Sequence, residues 1–231
     1  MRPDKSEILF KVDVDPKTLN VISDKNADYP DWTKLEYQQC GHCKLKKEDY
    51  PRCPVATNLH SLLTTFEKTK SIDVYLVTVE SPERTYSRKT DIQNGLGSLF
   101  GLIMATSSCP TMNFLKPMAR FHLPFSTIEE TIFRALGSFL IRQYLRGDIK
   151  KDEVNNQMTF NYQMVNTVNQ QLISRIQHLI SKKSSGDADQ NAIVILDTLA
   201  VLLTMELGSN VELISPMFLE LDEHSENRGD Q

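Results

Sequence analysis

The chain has 231 residues, of which 40% are hydrophobic and 24% charged, and a mass of 26.4 kDa. That composition belongs to a globular fold and excludes collagen-like, low-complexity and wholly disordered chains. With 26 basic against 30 acidic side chains, a net charge of −4 and a pI near 5.8, it lacks the basic excess of a chain that wraps nucleic acid.

The N-terminal residues Met1-Arg2-Pro3-Asp4-Lys5 are polar, and no apolar core of a signal peptide follows them. The most apolar stretch, Ala192–Leu207, is short and carries Asp197 and Glu206, so it reads as a buried core helix and not as a membrane span. The expected compartment is the cytoplasm. Cysteines there serve more often as ligands or redox groups than as disulfides.

In chain order, Ile8–Val14 and Leu19–Ile22 are β-like on either side of Asp15-Pro16, which predicts a hairpin. Asp28-Tyr29-Pro30-Asp31-Trp32 is a turn or an aromatic-anchored loop, and Thr33–Cys43 is polar and irregular. Cys53-Pro54 opens a helix, because proline suits the first helical position, and Leu59, Leu62, Leu63 and Phe66 keep helical spacing behind it. Ile72–Val79 alternates as a strand, and Arg84–Arg88 is its return partner, for a sheet of three to four strands in all. A helix follows from Thr90, its glycines Gly95, Gly97 and Gly101 requiring a close neighbour. Cys109-Pro110 opens another. Ser126-Thr127-Ile128-Glu129 reads as a capping box starting a helix that runs to about Arg146 and stops at Gly147. Asp152 to about Lys182 is a long amphipathic helix with an Asn/Gln-rich outer face, then a flexible loop over Ser181–Asn191. The expected class is α+β: a small N-terminal antiparallel sheet with a cysteine knuckle, then a mostly helical bundle. The expected divisions are 1–90 and 91–221, packed as one continuous domain, and a frayed acidic tail over 222–231.

The chemistry concentrates in the cysteines. Cys40-Gly41-His42-Cys43 has the spacing of a metal knuckle, and Cys53 and Cys109 each precede a proline at a helix start. A helix N-terminus offers free N–H groups and partial positive charge, which favours a thiolate. Four cysteines for four ligand positions predict a Cys₄ site. Zn²⁺ is the expected metal, and a [4Fe–4S] or [2Fe–2S] cluster is the alternative. Lys44, Lys46, Lys47 and Arg52 would offset the charge of four thiolates. His42 reads as a solvated loop residue. His122, between aromatic neighbours, is either a satisfied core histidine or a functional one. Arg120, His122 and Glu130 are the candidate catalytic residues of an enzyme or redox-sensor alternative. Four ordinary packed thiols are the bland alternative.

Cys-Gly-His-Cys-Lys also matches the active site of protein disulfide isomerases, but that site follows a buried apolar strand. Here polar Lys34–Gln39 precedes it, so the match is treated as chance. No Gly-rich phosphate loop, G-x-S-x-G or H-E-x-x-H occurs.

The set Cys40-Gly41-His42-Cys43, Cys53-Pro54-Val55-Ala56, Ser107-Ser108-Cys109-Pro110, Ala119-Arg120-Phe121-His122-Leu123-Pro124-Phe125 and Glu129-Glu130 resembles an uncharacterised bacterial family, a domain of unknown function. The likeness runs from about Ile8 to Arg146. It implies a bacterial protein and gives weight to the cysteines and the His122 segment as one site. It implies no activity. The resulting expectation is a metal-binding protein with a structural or interaction role. A protein partner would use the helical half, and neither nucleic acid nor membrane is expected. Nothing in the pattern specifies an oligomeric state.

Overall fold

Local sequence signals account for most of the element boundaries in the computed structural model, which describes residues 7–23, 28–147, 151–183, 194, 197, 200 and 214–218. Helix α1, Pro54–Phe66, starts where Pro54 sets the first φ and buries Leu59, Leu62, Leu63 and Phe66. Strands β1, Val74–Glu80, and β2, Thr85–Asp91, form an antiparallel hairpin with Val77 opposite Arg88. Its turn is closed by Ser81, whose N–H donates to the Arg84 carbonyl and whose hydroxyl accepts from the Arg84 N–H. A lone hairpin is marginal in water. This one is backed by α2, Ile92–Ala105, which begins directly at its end, with the Asp91 carboxylate accepting from Asn94 N–H at 3.0 Å. Gly95 lets the two approach: a Cβ there would lie 3.0 Å from Val77 Cγ2.

After α2 the chain makes a 3₁₀ turn over Pro110–Leu115 and continues into the short helix α3, Lys116–Arg120. Helix α4, Ile128–Arg146, ends at Gly147 in the left-handed region (φ 69°), the conformation a glycine stop requires. Helix α5, Lys151–Lys183, spans 33 residues and is the long strut of the fold.

The fold is α+β, with one two-stranded sheet and mostly helix among the described residues. The main core joins early and late chain: Trp32, Leu59, Phe100, Leu172 and Ile176 belong to one buried cluster. A second cluster packs Ile132, Ala135 and Phe139 of α4 against Met158 and Tyr162 of α5. No helix among the described residues is long and apolar enough to cross a membrane.

Three expectations are corrected. The sheet has two strands, because the Ile8–Val14 and Leu19–Ile22 segments meet only at a single Val14–Val21 bridge. Asp15 accepts the N–H groups of Lys17 and Thr18 within the turn, Asp15 N–H donates to Asn20 O and Ile22 N–H to Asp13 O, and no further pair extends the ladder. The segment after Cys109 starts as a 3₁₀ turn and not as an α-helix, with Pro117 removing a backbone donor from the stretch. The capping box sits one residue later than its sequence reading. Thr127 caps Glu130 N–H at 3.2 Å, and Glu130 Oε2 accepts from Thr127 N–H at 2.8 Å. Thr127→Ala should therefore cost about 1 kcal/mol in chemical denaturation, whereas Thr127→Ser, which keeps the hydroxyl, should lose little. The apolar segment 192–207 lies mostly outside the described residues. The 184–191 part of the predicted loop and the tail beyond 218 lie wholly outside them.

Candidate metal centre

The knuckle is held by short-range bonds. Cys43 N–H donates to Cys40 O at 2.9 Å, closing the turn, and Gly41 stands in open space. Gln38, at φ 54°, turns the chain into it. Trp32 and Leu35, both buried, anchor the preceding segment. Leu35 N–H donates to Pro51 O, and Cys53 N–H donates to Thr33 O at 2.8 Å, so the chain on both sides of the knuckle is pinned to the start of α1. His42 Nε2 lies 3.2 Å from Thr111 Oγ1, which ties the knuckle to the turn after Cys109.

Cys53 and Cys109 are the cap residues before Pro54 and Pro110; the Cys53 thiol makes no capping bond, and the Cys109 thiol stands near the backbone N–H groups of Thr111 and Met112 without a well-formed cap. All four cysteines are free thiols. Cys109 is 7% exposed, and Cys40 and Cys53 pack against the same core. Burial pushes the Cys40 thiol up to about 12, and the nearness of Cys53, Cys109 and Cys43, whose thiolates would repel its own, adds to the rise. Burial also pushes Cys109 up, against hydrogen bonds from the backbone of Thr111 and Met112 that favour its thiolate. The helix-start argument thus holds for the donors at Cys109 and fails for the net direction, because desolvation outweighs them.

The cation at this centre was not legible as a site residue. Arg175 of α5 is 3% exposed. Its Nη1 donates to Trp32 O at 2.6 Å and Lys34 O at 2.8 Å, and its Nη2 to Leu35 O at 3.0 Å. Its charge reaches Cys40, Cys43 and Cys53. The sequence did carry a signal: Val168, Leu172 and Arg175 follow i, i+4, i+7 on a buried face, where an arginine requires partners. The loop cations Lys47 and Arg52 are engaged elsewhere. Lys47 pairs with Glu36 at 2.7 Å, and Arg52 donates to Pro30 O and Thr33 Oγ1.

The structure brings the four cysteines into one neighbourhood but does not gather them into a ligand set. Among the described residues, no three His, Cys, Asp or Glu side chains stand where they could hold a metal ion as placed. The other candidates lie apart. Arg120 is 3.9 Å from Glu83 and stacks on Phe121. Glu130 serves the cap of α4. His122 lies 3.4 Å from Ser98 Oγ and lines a cavity of about 350 Å³ beside α2, α4 and α5 that no cysteine lines among the described residues.

A family model described as a domain of unknown function, DUF6901, matches residues 2–218. Comparison with curated proteins and with solved structures finds no match.

Proposed function

The chain belongs to the DUF6901 family, a domain of unknown function, and from that premise we propose that its four cysteines form a Cys₄ zinc site with a structural role. The observation that carries this reading is the convergence of Cys40, Cys43, Cys53 and Cys109 from three separate stretches of chain beside one buried arginine. Four sulfur ligands close a tetrahedral zinc site, leaving no position for substrate. The zinc would supply a crosslink between the knuckle, the start of α1 and the turn at Cys109. It would have to draw the sulfurs together from where they now stand, by rotation about the Cα–Cβ bonds. Arg175 would face the two negative charges that such a centre carries in excess. The backbone donors at Cys109 suit a sulfur that bears charge. The role follows from closure: a site built from distant segments holds them, and the exposed helical faces remain for a protein partner.

Structural zinc contributes folding free energy outright. A strong chelator should lower the melting temperature of the purified protein by about 10 °C or more. The Cys109→Ser protein should melt at that lower temperature with or without chelator. Equal melting of both proteins in both conditions would sink the reading.

A further inference from the structure

The cavity beside His122 is separate from the thiols and is built as a binding site. Its walls come from α2, the 121–126 segment, α4 and α5. Most of its lining is apolar, with Met104, Met112 and Met118 contributing flexible thioethers that adapt to an occupant. About 350 Å³ is within the range of small-molecule pockets.

Two residues in that lining have polar atoms without a hydrogen-bond partner among the described residues. Arg134 uses Nη2 for the carbonyls of Met118, at 2.7 Å, and Phe121, at 2.8 Å. Its Nε and Nη1 donors make no hydrogen bond among the described residues, and no Asp or Glu is among the described lining residues. Glu130 is a carboxylate whose charge reaches Arg134, but its Oε2 is bonded at the cap of α4. The second group is Asn169, 1% exposed, whose Oδ1 is buried with no hydrogen-bond partner among the described residues. A buried acceptor without a donor costs about 1–3 kcal/mol, so it marks a place where a donor belongs. Tyr162, a neighbour of Arg134, and Asn169 both line the cavity and are seven positions apart on α5, which places them about 10 Å apart along the helix.

We propose that this cavity binds a small organic carboxylate, its anionic head on Arg134, its apolar chain along the three methionines and a hydroxyl donating to Asn169 Oδ1. Neutral His122 at the same wall supplies a further hydrogen bond to the head. The inference does not depend on the zinc site, because no cysteine lines the cavity among the described residues.

The test uses the full chain labelled with ¹³C at the methionine methyls. It is titrated with 8-hydroxyoctanoate, octanoate, octan-1-ol and octylamine. An extended eight-carbon chain is about as long as the rise along α5 from Tyr162, the neighbour of Arg134, to Asn169. 8-Hydroxyoctanoate should shift Met104, Met112 and Met118, with octanoate about tenfold weaker for want of one hydrogen bond. Octylamine should shift none of them. Asn169→Leu replaces the orphaned acceptor by an apolar group, so it should stay folded and bind the two acids equally. Arg134→Gln should remove the preference for octanoate over octan-1-ol. Absence of shifts at the three methionines with either acid at millimolar concentration would overturn the proposal. So would shifts from octylamine as large as those from octanoate, or equal binding of the two acids by the unmodified protein.

Discussion

Arg175→Met is expected to lower the melting temperature by about 10 °C. The change keeps much of the apolar stem but removes a donor from three backbone carbonyls at once; Lys34 O keeps the Tyr37 N–H, and Trp32 O and Leu35 O are left without a donor among the described residues. Those carbonyls, on Trp32, Lys34 and Leu35, lie 140 or more residues away in sequence. Each buried acceptor left without a donor costs about 1–3 kcal/mol, so Trp32 O and Leu35 O together cost about 2–6 kcal/mol. For a chain of this length that corresponds to roughly 2–4 °C per kcal/mol. Arg175→Lys should recover only part of the loss, since one ammonium cannot reproduce the guanidinium fork across three carbonyls. A melting temperature within about 2 °C of the unmodified protein for Arg175→Met would show that these bonds do not hold the knuckle.

Stability is expected to fall as the pH drops from 6.5 to about 4, and His122 is the main source of the loss. Burial, with help from the Arg134 charge, holds its imidazole at about 4, below the ordinary 6.5. Between those values the unfolded chain binds a proton that the folded chain refuses, so stability rises with pH across the window. It is present in full above pH 6.5, is lost as pH falls through the window, and levels off below about 4. The span corresponds to about 3 kcal/mol. His42 and His60, both held below the usual histidine range by partial burial, act in the same direction. Subtracting the denaturation profile of His122→Gln isolates the contribution: the unmodified protein should lose about 3 kcal/mol more than the variant across the window. Parallel profiles would contradict the assignment.

Elements with a strong local cause were legible in the chain. Pro54, Gly147 and the alternation from Val74 to Glu80 each placed a boundary to within a few residues. The capping box slipped by one because Ser126-Thr127 and Glu129-Glu130 offer two overlapping registers, and only packing chooses between them. The hairpin over Ile8–Val14 and Leu19–Ile22 was overestimated in extent: its turn forms, with Asp15 N–H donating to Asn20 O and Ile22 N–H to Asp13 O, but the pairing reaches only the Val14–Val21 bridge.

The site divides in the same way. Spacing marked the four cysteines, whose convergence depends on the fold as a whole. The sign of the shift at Cys109 was not legible, since desolvation depends on what packs around the thiol. Arg175 and Asn169 were missed because their significance lies in contacts made, or left unmade, with distant chain. Glu130 was noticed as a candidate acid, but its bond to Thr127 gives it a structural task.

The measurement that bears most directly on the Cys₄ reading is elemental analysis with an absorption spectrum, on protein purified without oxygen. The account predicts about one zinc per chain, no visible colour and loss of the zinc in Cys109→Ser. Protein with no metal and four freely titrating thiols would contradict it. A brown protein containing iron and labile sulfide would contradict the assignment of zinc and put a cluster on the same four cysteines.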